Sequence, residues 1–185
     1  SWKIEEKEMK ILIIKGSPHK NGSSNLLAEE FIRGVKEAGH TVESFDVAHA
    51  NIHPCMGCDG CGASGKYVQK DDMSVLEQAL LSADMAVFVT PIYYFGMSAQ
   101  LKTAIDRFYS FNSSISGRGL KTALIAAAWD GSEKTMSYLK EHYQGICEYL
   151  GFRDQGMVLG TGCGTPSMIK RTSHMKAAYQ LGRSL

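Results

Sequence analysis

No stretch of this sequence approaches the ~20 consecutive apolar residues that would span a bilayer. Neither sign of charge dominates: 20 Lys and Arg face 19 Asp and Glu, a net charge of +1, so nothing in the balance recruits nucleic acid or a membrane surface. No internal repeat, low-complexity tract or interdomain linker interrupts the chain, and 185 residues suit one domain with a well-filled core. The opening residues 1–8 lack the apolar segment of a signal peptide and read as a short extension or expression scar before Met9. Five cysteines, three of them close together, make no even disulfide framework, which points to a reducing, cytoplasmic setting. The Gly-containing loop near the N-terminus has no closing Gly-Lys-Ser/Thr and no G-x-G-x-x-G, so the usual triphosphate and dinucleotide fingerprints are absent.

What the chain does have is an apolar run at 11–14 that ends in a loop of Gly, Ser, Pro and Asn ahead of an amphipathic helix. A strand, a hydroxyl-rich turn and a helix start then converge on one place. A helix start carries unpaired N–H donors and partial positive charge, so it favours a phosphate. Ser17, Ser23, Ser24 and Asn25 add short polar side chains suited to a terminal phosphate monoester. The competing reading is that Ser23, Ser24 and Asn25 only cap the helix.

Apolar runs and helix-period segments alternate along the rest. Strands are expected at 11–14, 41–47, 85–90, 121–128 and 156–160, and helices at 26–38, 73–83, 98–108, 132–149 and 166–181. The runs at 85–90 and 121–128 are apolar almost throughout, as in a parallel sheet covered on both faces. Five strands and five helices predict an α/β, flavodoxin-like doubly wound sheet of order 2-1-3-4-5, in one domain over 9–185. Ligands in such sheets sit at the carboxyl ends of the strands. After the third strand, TPIYYFGMSAQLK (90–102) offers three consecutive aromatics and a Gly. They suit a planar heterocycle, or else pack under the loop or at a dimer contact. After the fourth strand, AWDGS (128–132) closes the same edge, Gly131 and Ser132 giving a turn and a helix cap. Three such loops predict a mononucleotide pocket.

KGSPHKNGSSN (15–25) and TPIYYFGMSAQLKTAIDR (90–107) resemble, in order and spacing, the phosphate loop and the isoalloxazine loop of the NAD(P)H-dependent FMN reductase-like family. The resemblance covers about residues 9–160. It implies FMN as cofactor and NAD(P)H as co-substrate. It implies Ser17, His19, Ser23, Ser24 and Asn25 at the phosphate, and Pro91, Ile92, Tyr93, Tyr94, Phe95 and Gly96 along the ring. Ala128, Trp129, Asp130 and Gly131 would close the far side. His19 stands where the family often has Arg, a single donor in place of a charged fork, so FMN affinity is expected to be weaker or more pH-dependent. Hydride chemistry belongs to the cofactor, and no catalytic side chain is assigned. The implied cycle is ping-pong, from NAD(P)H through FMN to a small acceptor: a quinone, a free flavin, a nitroaromatic or a metal complex. Backbone N–H groups of 94–96 would stabilise charge on the reduced ring. The family also implies a homodimer or homotetramer, with Tyr109, Phe111 and 112–118 as candidates for the contact, or as a surface loop.

Residues 49–72 are long, poor in periodicity and rich in Gly and Cys, and a loop of that length in a small domain is usually functional. Cys55, Cys58 and Cys61 have the C-x2-C-x2-C spacing of iron–sulfur ligands. The segment resembles the iron-sulfur flavoprotein branch, which adds a fourth cysteine where this chain has Tyr67. Three thiolates leave one iron without a protein ligand, which disfavours a cluster. Zinc lacks the same ligand unless His49 or His53 supplies it. The alternatives are a thiol loop beside the flavin or at a dimer contact, and a reversible C-x2-C disulfide. Rivals to the reductase are a flavodoxin-like or cluster-bearing electron carrier, and a thiol-based redox or metal sensor.

Overall fold

The computed structural model describes residues 7–62 and 67–185. Most of the 1–8 extension and part of the cysteine segment (63–66) lie outside the described residues. Five strands, β1 (Lys10–Lys15), β2 (Thr41–Asp46), β3 (Met85–Pro91), β4 (Lys121–Ala127) and β5 (Arg153–Gly160), form one parallel sheet in the order β2-β1-β3-β4-β5. The register pairs Ile13 with Val87 and Val87 with Ala123. This is the flavodoxin-like order expected from the strand pattern.

Successive side chains of a strand face opposite ways, and here both faces are apolar. Leu12, Ile14, Ala86, Phe88, Leu124 and Ala126 enter one buried cluster. Ile11, Ile13, Val87, Val89, Ala123 and Ile125 enter the other. Each cluster needs helices to cover it. The first receives Leu76 and Leu80 of α2 (Met73–Ser82), Leu101 of α3 (Ala99–Asp106) and Leu139 and Tyr143 of α5 (Glu133–Leu150). The second receives Leu27, Phe31 and Val35 of α1 (Ser23–Glu37), Ile169 of α6 (Pro166–Ile169) and Ala178 of α7 (His174–Arg183). A short α4 (Asn112–Ile115) follows a 3-10 turn at Arg107–Phe111.

Several boundaries differ from the sequence pattern. α1 starts at Ser23 rather than 26, so its first turn contains the polar triplet. β5 begins at Arg153, ahead of the apolar signal, because the Arg153 N–H donates to the Leu120 carbonyl (2.8 Å) and starts the edge pairing with β4. The expected helix at 166–181 is two helices. Thr172 Oγ1 donates to the Ile169 carbonyl (2.7 Å) and accepts from the His174 N–H (3.3 Å), ending one and starting the next. The stretch at 98–108 leaves α-geometry after Asp106, and Phe111 is fully buried in the core, which removes it from the candidate subunit contact.

α7 lies against α1 through two glycines. A methyl group on Gly34 would stand 2.2 Å from the Tyr179 carbonyl oxygen, and one on Gly182 2.2 Å from the Phe31 carbonyl oxygen. Tyr179 hydrogen-bonds Glu37 through its hydroxyl and takes the Arg33 guanidinium over its ring at 4.0 Å. Among the described residues no helix is long and apolar enough to cross a membrane.

Candidate functional site

The carboxyl ends of β1, β3 and β4 meet around a cavity of about 630 Å3, within the range of small-molecule pockets. The loop after β1 is drawn tight from inside. Gly16 N–H donates to the Val89 carbonyl (2.8 Å), and the Ser98 hydroxyl donates to the Gly16 carbonyl (2.6 Å). Ser98 is also the N-cap of α3, accepting from the Leu101 N–H at 3.2 Å. One buried hydroxyl therefore ties the first loop to the helix behind the second. Glycine is required at 16, since a methyl there would stand 2.8 Å from Leu101 Cβ. The sequence reading missed Ser98, although a Ser directly before a helix is a cap signal.

The polar triplet does not cap the helix. The N-cap of α1 is Gly22, with no side-chain cap bond. Ser23 and Ser24 sit inside the first turn, buried, and their hydroxyl oxygens have no hydrogen-bond partner. Buried polar atoms are normally paired, so two orphaned hydroxyls beside the unpaired N–H groups of a helix start call for a ligand. Ser17 and Asn25 have other work. Ser17 Oγ exchanges hydrogen bonds with the N–H and carbonyl of His19 (3.1 and 3.2 Å). The Asn25 amide donates to the carbonyls of His19 and Lys20 (3.3 and 3.0 Å), which closes the loop.

Of the expected residues, Ser17, His19, Ser23, Ser24, Pro91, Ile92, Tyr93, Ala128 and Trp129 line the cavity. Asn25, Tyr94, Phe95, Gly96, Asp130 and Gly131 do not. Tyr94 and Phe95 are the two central residues of a tight turn, with φ of 48° and 67°, closed by reciprocal hydrogen bonds between Tyr93 and Gly96 (3.0 and 3.2 Å). Both are exposed, and Phe95 meets the ring of Tyr138 edge-on at 5.6 Å. Ser132 is the N-cap of α5, as expected, and Asp130 braces that turn. The Asp130 carboxylate accepts from the Ser132 N–H (2.8 Å) and the Thr135 hydroxyl (2.9 Å), while Ser132 makes no side-chain cap bond.

A fourth loop, after β5, completes the wall and was not foreseen. Cys163, Gly164, Thr165 and Pro166 line the cavity with Lys20 and Asn21. This loop is laced to the one after β4: Ala128 N–H to the Gly160 carbonyl (2.8 Å), Cys163 N–H to the Ala128 carbonyl (2.8 Å), and Gly162 N–H to the Asp130 carbonyl (2.7 Å). The Trp129 indole lies on Gly164, where a methyl group would stand 2.3 Å from Cε3. Burial pushes the Cys163 thiol up, so it faces the cavity protonated. Its signal in the sequence was the Gly-rich TGCGT run at the end of a strand on the same edge.

The cysteine loop encloses a separate cavity of about 310 Å3 against Arg107, Tyr109 and Ser110. Cys55 and Cys58 are exposed and Cys61 half-buried. Arg107 fixes both feet of the loop: its guanidinium donates to both Asp71 oxygens (2.6 and 3.2 Å) and to the His53 carbonyl (2.9 Å). Burial pushes the Asp71 carboxyl up, but Arg107 and the His53 and Met73 N–H groups outweigh it and hold the carboxyl below its usual range. Tyr67 donates its hydroxyl to Glu77. Cys147 lies on the buried face of α5 beside Thr122, and Cys163 belongs to the first cavity. No three His, Cys, Asp or Glu side chains converge on a metal position among the described residues.

The profile of a family with a flavodoxin-like fold matches residues 9–181. The sequence is 28% identical to an iron-sulfur flavoprotein of Archaeoglobus fulgidus over 96% of this chain and 79% of that one. It is also 28% identical to the putative NAD(P)H-dependent FMN-containing oxidoreductase YwqN of Bacillus subtilis, over 94% of this chain and 96% of the relative. An azoreductase structure from Bacillus anthracis superposes with a TM-score of 0.73 at 19% identity, covering 96% of this chain and all of that one, a likeness of fold.

Proposed function

We propose, because the chain belongs to the flavodoxin-like fold family, that it binds FMN at the carboxyl edge of the sheet and acts as an NAD(P)H-dependent oxidoreductase. The observation that carries this reading is the pair of buried, unpartnered hydroxyls of Ser23 and Ser24 in the first turn of α1, beside a cavity of nucleotide size. A phosphate monoester supplies the acceptors those hydroxyls and the helix N–H groups lack. His19, Lys20 and Asn21 rim the same end of the cavity, and Tyr93 and Trp129 offer flat walls at the other loops.

Bound there, FMN would supply the hydride and electron-transfer chemistry between NAD(P)H and a small acceptor (a quinone, free flavin, nitroaromatic or metal complex), and a ping-pong cycle belongs to this proposal. The chain's own residues bind and orient. Ser23, Ser24 and the start of α1 anchor the phosphate. Ser98 keeps that anchor in fixed relation to the loop after β3. The loops after β4 and β5 hold Trp129 against Gly164 at the cavity wall. No side chain at the cavity is required to move a proton. Homodimeric or homotetrameric assembly and a cytoplasmic setting belong to the same proposal.

The four-cysteine cluster implied by an iron-sulfur flavoprotein relative does not fit these residues. The loop has three thiols, Tyr67 stands where the resemblance puts the fourth cysteine and bonds Glu77, and the remaining cysteines are built into other parts of the fold. No step is assigned to such a cluster.

Protein purified without oxygen is expected to show a flavin spectrum, or to acquire one on adding FMN, and to oxidise NAD(P)H with a quinone. The double variant Ser23→Ala, Ser24→Ala is expected to bind FMN roughly 10- to 100-fold more weakly, the loss of one or two hydrogen bonds to a charged group. FMN binding unchanged in that variant overturns the phosphate assignment. Bound FMN with no NAD(P)H turnover makes the chain an electron carrier instead.

A further inference from the structure

The amino ends of the strands, on the edge of the sheet away from the nucleotide cavity, border a trough of about 510 Å3. Residues at or just ahead of the starts of β1, β2, β3 and β4 line it, among them Met9, His40, Asp84, Arg118 and Lys121. Two donors there lack a proper acceptor. His40 is only 7% exposed, and its Nδ1 accepts the Met9 N–H at 3.0 Å. An imidazole nitrogen that accepts carries no proton, so the ring proton sits on Nε2. Nε2 is buried and has no hydrogen-bond partner. Buried polar atoms are normally paired, and what this donor lacks is an acceptor. Lys121 is the second. Its half-buried side chain brings the ammonium to the Met9 thioether (3.8 Å), a weak acceptor, and it forms no ion pair among the described residues.

The remaining charges of the trough are engaged or cancel. Arg118 donates to the Leu81 and Ala83 carbonyls (3.0 Å each) at the end of α2. Asp84 accepts the Lys10 N–H (2.8 Å). Lys7 and Glu8 are exposed and of opposite sign. A cation gains nothing here, because the one free nitrogen of His40 already holds the proton and Arg118 and Lys121 repel it. We propose that this trough is a second ligand site, for an oxyanion (a carboxylate or a phosphate group) received by the His40 Nε2–H and the Lys121 ammonium. Its occupant ties the start of β4 to the residue ahead of β2, so binding is also read as stability.

The test uses the full chain with isotope-labelled histidine, saturated with FMN so that the start of α1 is filled, and repeats in the Ser23→Ala, Ser24→Ala variant, which lacks that anchor. Each is titrated with sodium phosphate, sodium acetate, or sodium chloride at matched ionic strength. The His40 Nε2 resonance, identified by its loss in His40→Phe, is expected to move with phosphate or acetate and not with chloride, and the thermal midpoint to rise in parallel. A response to phosphate alone assigns a phosphoryl group as occupant, and a response to acetate alone a carboxylate. Lys121→Met is expected to weaken the response roughly tenfold, the loss of one charge-assisted hydrogen bond. No movement of the His40 resonance, equal movement with chloride, movement of the His19 resonance alone, or a Lys121→Met titration equal to wild type overturns the proposal.

Discussion

A single hydrogen atom at position 164 decides where the Trp129 indole rests. The ring occupies the space a side chain would need, so Gly164→Ala must push it off the loop after β5. The expected result is FMN binding weaker by about tenfold and a shifted tryptophan emission, with thermal stability nearly unchanged because the indole is already 68% exposed. FMN titration alongside Trp129→Ala, which should match it, checks this. The hydroxyls of Ser23 and Ser24 could be singled out from the sequence, since short polar residues at a helix start do only a few things. The part played by Asn25 could not be. Its amide points back to the carbonyls of His19 and Lys20, a closure that depends on the path of the loop rather than on residue type. Cys163 to Pro166 showed in the sequence only as a Gly-rich run after the last strand; that they reach the cavity depends on backbone bonds to another loop.

At the level of elements, the tight turn after β3 has an unusual composition. Both central positions take positive φ, a geometry that favours Asn and Gly, yet they hold Tyr94 and Phe95. Tyr94 is fully exposed, so Tyr94→Asn removes backbone strain without removing a contact. It is expected to stabilise the protein by about 0.5–1 kcal/mol, read as a rise in the thermal midpoint. A slower reaction with acceptor in the same variant would show that the aromatic is kept for turnover. The cysteine loop depends on a second device, the buried Asp71–Arg107 pair. Arg107→Met strands a buried carboxylate and is expected to cost about 3–5 kcal/mol, while adding Asp71→Asn recovers part of it. The folded carboxyl lies below its unfolded value, so the pair's contribution is complete above the ordinary aspartate range and is lost as pH falls through the lowered value. Denaturation midpoints measured between neutral and strongly acid pH should converge for wild type and the double variant. The sequence marked this loop as functional through its length and cysteines. It did not reveal the ion pair, because Asp71 and Arg107 lie on different elements and meet only in the folded chain.

For the whole molecule, the alternation of apolar strands and amphipathic helices was enough to give the sheet order, since a strand apolar throughout has only one kind of environment to occupy. The docking of α7 on α1 was hidden, because Gly34 and Gly182 look like weak points of two helices until the helices are seen to touch there. Gly182→Ala is expected to force them apart and destabilise the protein by about 1–3 kcal/mol, with denaturant unfolding as the measurement and Gly145→Ala, whose added methyl meets open space, as the neutral control. The partners Glu37 and Tyr179 are 142 residues apart. A chain leaving the ribosome therefore exposes the flank of α1 until α7 is made, and the helix that carries Ser23 and Ser24 is clasped only after every strand has been made. A nascent chain halted before α7 therefore carries α1 without the helix that packs along its flank.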